Sequence, residues 1–171
     1  MKLNLGCGPD IKEGYINIDT CPFNDKVVAM DIKNLQFDDS TVDEIHAKDI
    51  LEHLTYSETK QCIKNWSKIC KSGAEIFIQT ICWDLFIKAY NDKVWDMETI
   101  NYMLFAGINW VDGITRPEDF HKSIYSVEYM AKILKENNFL ISKIEYEDID
   151  NNLLINPKAH NLNMVIHAKR I

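Results

Sequence analysis

A mostly parallel α/β sheet is the fold class this sequence predicts, and three observations predict it. Short β-rich runs alternate with segments of helical periodicity. The first run leads directly into a glycine turn, "LNLGCG". Charged residues end or directly follow the next three runs, Asp19, Asp31 and Lys48-Asp49, at the strand ends where such a sheet binds its ligand. With 171 residues, 46% of them hydrophobic, the chain is long enough for one domain with a proper core.

The elements follow in order. Lys2 to Leu5 is the first strand, and Gly6-Cys7-Gly8 is the turn after it. Further strands fall at 15–19, 27–30, 42–47 and 75–80, with late ones near 140–146 and 164–169. In "TYSETKQCIKNWSKICKSG", Thr55 and Glu58 form a capping-box pattern and Cys62, Trp66 and Ile69 keep one apolar face. Lys71 and Gly73 then read as the helix end. In "SVEYMAKILKENNF", Ser126 caps a helix whose apolar positions are Val127, Met130, Ala131 and Leu134, and Asn137 and Asn138 stop it. Residues 83–120 are dense in aromatic rings and read as an insertion within the single domain, a lid or wall for a substrate. Most of these rings are expected in the core, around a helix such as "DKVWDMETINYMLFAG". One to three of Trp83, Tyr90, Trp110 and Phe120 are expected to face substrate.

Charge and composition exclude several partners. A net charge of −7, with lysines scattered among acids, repels a phosphate backbone, so nucleic acid is not an expected partner. No apolar run reaches membrane-spanning length and no secretory leader opens the sequence, so a cytoplasmic protein without a membrane partner is expected. The five cysteines form no C-x-x-C pair and have no histidine at metal-ligand spacing; reduced, packed thiols and no metal site are expected.

The glycine turn chooses among nucleotide ligands. A dinucleotide fingerprint needs a third glycine, where a helix packs closely and its N-terminus holds a pyrophosphate. Here that position is Ile11, Asp10 would set a negative charge beside any phosphate, and Asp19 comes only thirteen residues after Gly6. A ligand with ribose and adenine but no phosphate fits better. Asp19 could accept from both ribose hydroxyls and Asp31 from an adenine amine, and S-adenosylmethionine is such a ligand.

"LNLGCG", "GYINID", "DIKNLQF", "VDEIHAKDILEHL", "WSKICKSGAEIFIQT" and "HKSIYSVEYMAKILKENNF" resemble successive blocks of the class I S-adenosylmethionine-dependent methyltransferases, particularly the short bacterial type associated with glycan and sugar modification. The resemblance covers nearly the whole chain. It implies a Rossmann-like, doubly wound, mostly parallel seven-stranded sheet whose last strand, in "NMVIHAKRI", runs antiparallel. It further implies that Leu5, Gly6, Cys7 and Gly8 line the methionine end, Asp19 and Thr20 hold the ribose, Asp31 and Ile32 frame the adenine, and Ala47 and Lys48 sit near the sulfonium. "KSGAE" departs from the family pattern, with Ser72 and Ala74 where proline and glycine are common.

Methyl transfer is an in-line displacement, so positioning carries most of the catalysis, and a base is needed only when the acceptor loses its proton. The candidates are His121, ahead of the last helix, Asp49, and His53 in "DILEHL". The expected acceptor is a small molecule or glycan, methylated on a hydroxyl or an amine. Two alternatives stay open: a domain that binds S-adenosylmethionine without turnover, and a nicotinamide-dependent oxidoreductase, which the missing glycine disfavours.

Overall fold

The computed structural model describes residues 1–105, 120–146 and 162–171. Seven strands form one sheet: β1 (Lys2–Leu5), β2 (Ile16–Asp19), β3 (Val27–Ala29), β4 (Val42–Lys48), β5 (Cys70–Ile81), β6 (Phe139–Tyr146) and β7 (Asn163–Arg170). Their spatial order is β3-β2-β1-β4-β5-β7-β6. Neighbours from β3 to β5 pair in parallel, and β7 runs antiparallel to both β5 and β6. The seven strands and the reversed last one are as the sequence led us to expect. The chain leaves β1 toward β2 on one side and later returns to β4 on the other, so the switch point lies between β1 and β4.

Four helices are described: α1 (Tyr56–Ile69), α2 (Trp83–Asn91), α3 (Met97–Leu104) and α4 (Val127–Glu136). The α1 capping box forms as read, with the Glu58 amide donating to Thr55 and the Thr55 amide donating to the Glu58 carboxylate. Its apolar stripe, Cys62, Ile63, Trp66 and Ile69, is buried with Leu3, Leu5, Ile45, Ile76 and Ile78 of the sheet. The helix stops earlier than Gly73, however. Cys70 is both its cap and the first residue of β5, because that side chain is buried and pairs opposite Val42. Gly73, at φ +82°, instead falls where the register between β4 and β5 shifts. It serves a strand irregularity, the other common use of a left-handed glycine. Helix α4 buries Met130, Ile133 and Leu134 and ends at Asn137.

The opposite face of the sheet stays partly wet: along β7, buried Ile166 and Ala168 alternate with Val165, His167 and Lys169, which are not buried. The connection from β1 to β2 contains no helix. Paired asparagines hold it down instead. Asn4 and Asn17 are register partners in β1 and β2, and both are buried. Asn4 Nδ2 donates to Asn17 Oδ1 at 2.8 Å and to the Asp10 carbonyl at 2.7 Å, Asn17 Oδ1 also accepts from the Lys12 amide at 2.9 Å, and Asn17 Nδ2 donates to the Lys12 carbonyl at 3.1 Å. Two side chains thus satisfy loop groups that a helix would have satisfied by itself.

Candidate active site

The carboxyl ends of β1, β2 and β4 open into one cleft lined by Gly6, Gly8, Asp19, Thr20, Cys21, Asp31, Ile32, Lys33, Asp49, Ile50, His53, Leu54 and Lys122. Each glycine has a separate reason to be there. Gly6 sits at φ +60°, and a Cβ on it would meet Ile50 side-chain atoms at 2.5 Å, so the turn is pressed against the residue after Asp49. Gly8 sits at φ +45° with nothing within 4 Å of such a Cβ, so its bare backbone borders open space.

Asp19 ties the turn to the end of β2. Its Oδ2 accepts from the Gly8 amide at 2.9 Å and its Oδ1 from the Cys21 amide at 2.9 Å. A carboxylate has about four acceptor sites, so two amide donors leave capacity for a ligand's hydroxyls. Asp31 accepts from the Lys33 amide at 2.9 Å and begins a short 3₁₀ turn, Ile32–Asn34. The Lys33 ammonium stands 3.5 Å from Asp31 and 3.3 Å from Glu58. Three carboxylates and two lysines line the cleft, and one of those lysines is already committed to carboxylates. Such a surface suits a cationic, hydroxyl-bearing ligand better than a phosphate.

The remaining cofactor candidates are placed differently. Leu5 and Ala47 are fully buried and Cys7 nearly so; they shape the floor from within the core and are not among the lining side chains. Lys48 ends β4 with an exposed side chain. Thr20 and Ile32 line the cleft as read.

Asp49 occupies a left-handed backbone position at φ +50°, uncommon for a residue with a side chain and frequent where geometry serves a site. Its carboxylate accepts from Gln79 Nε2 at 3.1 Å and Asn163 Nδ2 at 3.2 Å, and burial pushes it above the usual aspartate range. His53 Nδ1 lies 3.3 Å from the Phe120 carbonyl; donation there leaves Nε2 as the acceptor nitrogen. His121 does not line the cleft. It stands behind His53, ring centroids 5.1 Å apart and planes at 64°. Burial, and secondarily His53, push it down to about 4, so it is neutral at neutral pH and a weak base.

Glu52 has no place in the sequence reading, yet it organises this corner. It is 2% exposed; its carboxylate accepts from Thr80 at 2.9 Å, and its carbonyl accepts from the Lys122 and Ser123 amides at 2.7 and 3.2 Å. Those two bonds draw the segment bearing His121 against His53, and Ser123 and Tyr125 reinforce them by donating to the Leu54 and Leu51 carbonyls at 2.6 and 2.9 Å. Burial, with Asp49 adding to it, pushes the Glu52 carboxyl up to about 8. The adjacency Glu52-His53 was visible in the sequence, but nothing local showed that His121 would join it.

Of the aromatic candidates, Trp83 borders a separate cleft with Tyr56, Ile124, Ser126 and Tyr129, and Tyr90 is exposed. Phe120 meets the site through its carbonyl. Trp110 lies outside the described residues. Phe86 and Trp95 pack edge to face in a second small core.

Residues 3–78 match the family model described as a methyltransferase domain. No curated protein matches significantly. Among solved structures, an S-adenosylmethionine-dependent methyltransferase from Methanosarcina mazei superposes with a TM-score of 0.68 at 17% identity, covering 99% of this chain and 92% of that one. The 1,6-didemethyltoxoflavin-N1-methyltransferase of Burkholderia thailandensis gives 0.63 at 12% identity, covering 99% and 70%. An S-adenosylmethionine-dependent methyltransferase from Archaeoglobus fulgidus gives 0.62 at 16% identity, covering 99% and 85%. At these identities the likeness is one of fold.

Proposed function

We propose that this chain is an S-adenosylmethionine-dependent methyltransferase acting on a small-molecule or sugar acceptor, at a hydroxyl or an amine. The observation that carries the reading is the Asp19 bridge: a carboxylate at the end of β2 holding the amide of Gly8, in a cleft at the sheet's switch point where acidic groups outnumber basic ones. The match of residues 3–78 to a methyltransferase domain supports it independently.

In this reading Asp19 and Thr20 hold the ribose, Asp31 and Ile32 border the adenine, and Gly6 and Gly8 give the backbone room beside the methionine end. When bound, S-adenosylmethionine supplies a methyl group on a sulfonium, open to in-line attack by oxygen or nitrogen. Asp49 and His53, the two candidate groups that reach the cleft wall, face the acceptor; either can take its proton if the reaction requires it. His121 is a positioning residue for His53. A small-molecule acceptor finds support in the Burkholderia neighbour, named for methylating 1,6-didemethyltoxoflavin. A sugar acceptor rests on the resemblance of the sequence blocks to glycan-associated methyltransferases.

The test is turnover. Incubation with S-adenosylmethionine and a panel of nucleotide sugars and small heterocycles should release S-adenosylhomocysteine with at least one acceptor, and His53→Ala or Asp49→Ala should lower that rate by ~10²-fold or more if its group moves the proton. Cofactor binding with no release across the panel would favour a binding domain without turnover.

A further inference from the structure

We propose that Glu52, His53 and His121 form a binding site for a divalent first-row transition-metal ion. One carboxylate oxygen and one ring nitrogen from each histidine lie within 4.8 Å of one another. Ligands of an ion held at about 2.0–2.2 Å are about 3–3.5 Å apart, so small side-chain rotations would close the set. Two imidazoles and one carboxylate suit Zn²⁺ and, in open-sided form, Fe²⁺.

Three features distinguish this cluster from ordinary surface acids and histidines. Glu52 is almost wholly buried, and among the described residues no salt bridge reaches it. A buried carboxyl group stays protonated, is paired, or is bound to a metal, and a cation would let this one ionise in place. His121 Nδ1 is buried with no hydrogen-bond partner among the described residues. A buried polar atom left unsatisfied is destabilising unless something meets it. Finally, the outer contacts are those of a metal's supporting shell: Thr80 holds the Glu52 carboxylate, the Phe120 carbonyl fixes the His53 ring, and the Glu52 carbonyl anchors the strand of chain next to His121. A cation meets the carboxylate and both imidazoles together, which no single hydrogen-bond donor can do.

The site is contiguous with the cleft because His53 belongs to both. Three protein ligands leave a coordination position open, as in catalytic metal sites. On the methyltransferase reading proposed above, the ion would be placed to take an oxygen of the acceptor, so the chemistry favoured beside the cofactor is a hydroxyl or carboxylate. With one ring nitrogen on the ion and Nδ1 at the Phe120 carbonyl, metal-bound His53 does not act as the base, which leaves that role to Asp49.

The experiment titrates the full, tag-free chain with Co²⁺, without cofactor, and follows the visible d–d absorption. Its outcome is therefore independent of methyl transfer. We expect saturation near one equivalent, without the thiolate charge-transfer band that coordination by exposed Cys21 would give. Glu52→Gln and His121→Ala should each weaken binding at least ~tenfold. His167→Ala, which removes a half-buried histidine beside Glu145, should leave it unchanged. Circular dichroism establishes that each variant is folded, and an unfolded Glu52→Gln leaves His121→Ala to decide. Absence of a saturable band in the wild-type chain, or an undiminished band in folded His121→Ala, overturns the proposal.

Discussion

Asp19 is asked to do two things, brace the Gly8 amide and accept from a ligand, and both depend on one carboxylate. Asp19→Ala should weaken S-adenosylmethionine binding roughly tenfold or more, since hydrogen bonds to a charged group are worth ~1.5–3 kcal/mol. Calorimetric titration checks this, with Asp38→Ala, in the exposed "FDDST" loop, expected to change nothing; unchanged affinity in Asp19→Ala would remove the ribose assignment. The two glycines should separate in the same spirit. Gly6→Ala drives a methyl into Ile50 and adds left-handed strain, whereas Gly8→Ala meets no neighbour and adds strain alone. Denaturant melts should show a loss of ~2 kcal/mol or more for Gly6→Ala and about 1–2 for Gly8→Ala. These residues were legible because their signals are local: a G-x-G turn after a strand, and an acid at the end of the next. His121 and Glu52 were not legible as a pair. Their meeting depends on backbone bonds from Lys122 and Ser123 to Glu52, some seventy positions back in the chain.

At the scale of elements, the asparagine pair explains how the chain passes from β1 to β2 without a helix. Asn17→Ala removes the partner of the Lys12 amide and carbonyl and leaves Asn4 only its bond to the Asp10 carbonyl, and it should lower stability by ~1–3 kcal/mol in a urea melt. A loss under 0.5 kcal/mol would mean the loop does not depend on it. The sequence showed these asparagines only as polar residues inside two apolar strands, a signal that could have been read as a shared hydrogen-bond network. Helix α1 was legible at its start, where Thr55 and Glu58 act on neighbouring amides, and misplaced at its end, where burial of Cys70 against the sheet overrode the glycine signal. On the sheet's wetter face, His46 stacks on Phe77 with ring centroids 4.3 Å apart. Burial, with Lys12 adding to it, pushes His46 down to about 4. The unfolded chain therefore takes up this proton from about pH 6.5 and the folded chain only near 4, so folding stability should fall as pH drops through that window. His46→Phe should flatten this part of the stability profile relative to wild type. Parallel profiles would contradict the assignment.

For the whole molecule, strand order decides what the residues can do together. Strands β1, β2 and β4 meet at the switch point, which brings Gly6, Asp19 and Asp49 to one cleft although they are spread over more than forty positions of sequence. Alternation of strands and helices made the α/β class readable, and the family-like blocks made the antiparallel β7 readable. The region read as a substrate lid was less so, because its described aromatic residues contribute to a second small core and to a separate cleft as well as to the region around the site. The absence of a third glycine and the acidic lining lead to one claim above the others: this cleft takes S-adenosylmethionine and not a dinucleotide. Calorimetric titration of the wild-type chain with S-adenosylmethionine and, in parallel, with NAD tests it most directly. The account predicts saturable binding of about one S-adenosylmethionine per chain, displaced by S-adenosylhomocysteine, and no heat of binding for NAD. Saturable NAD binding, or none for S-adenosylmethionine, would contradict it.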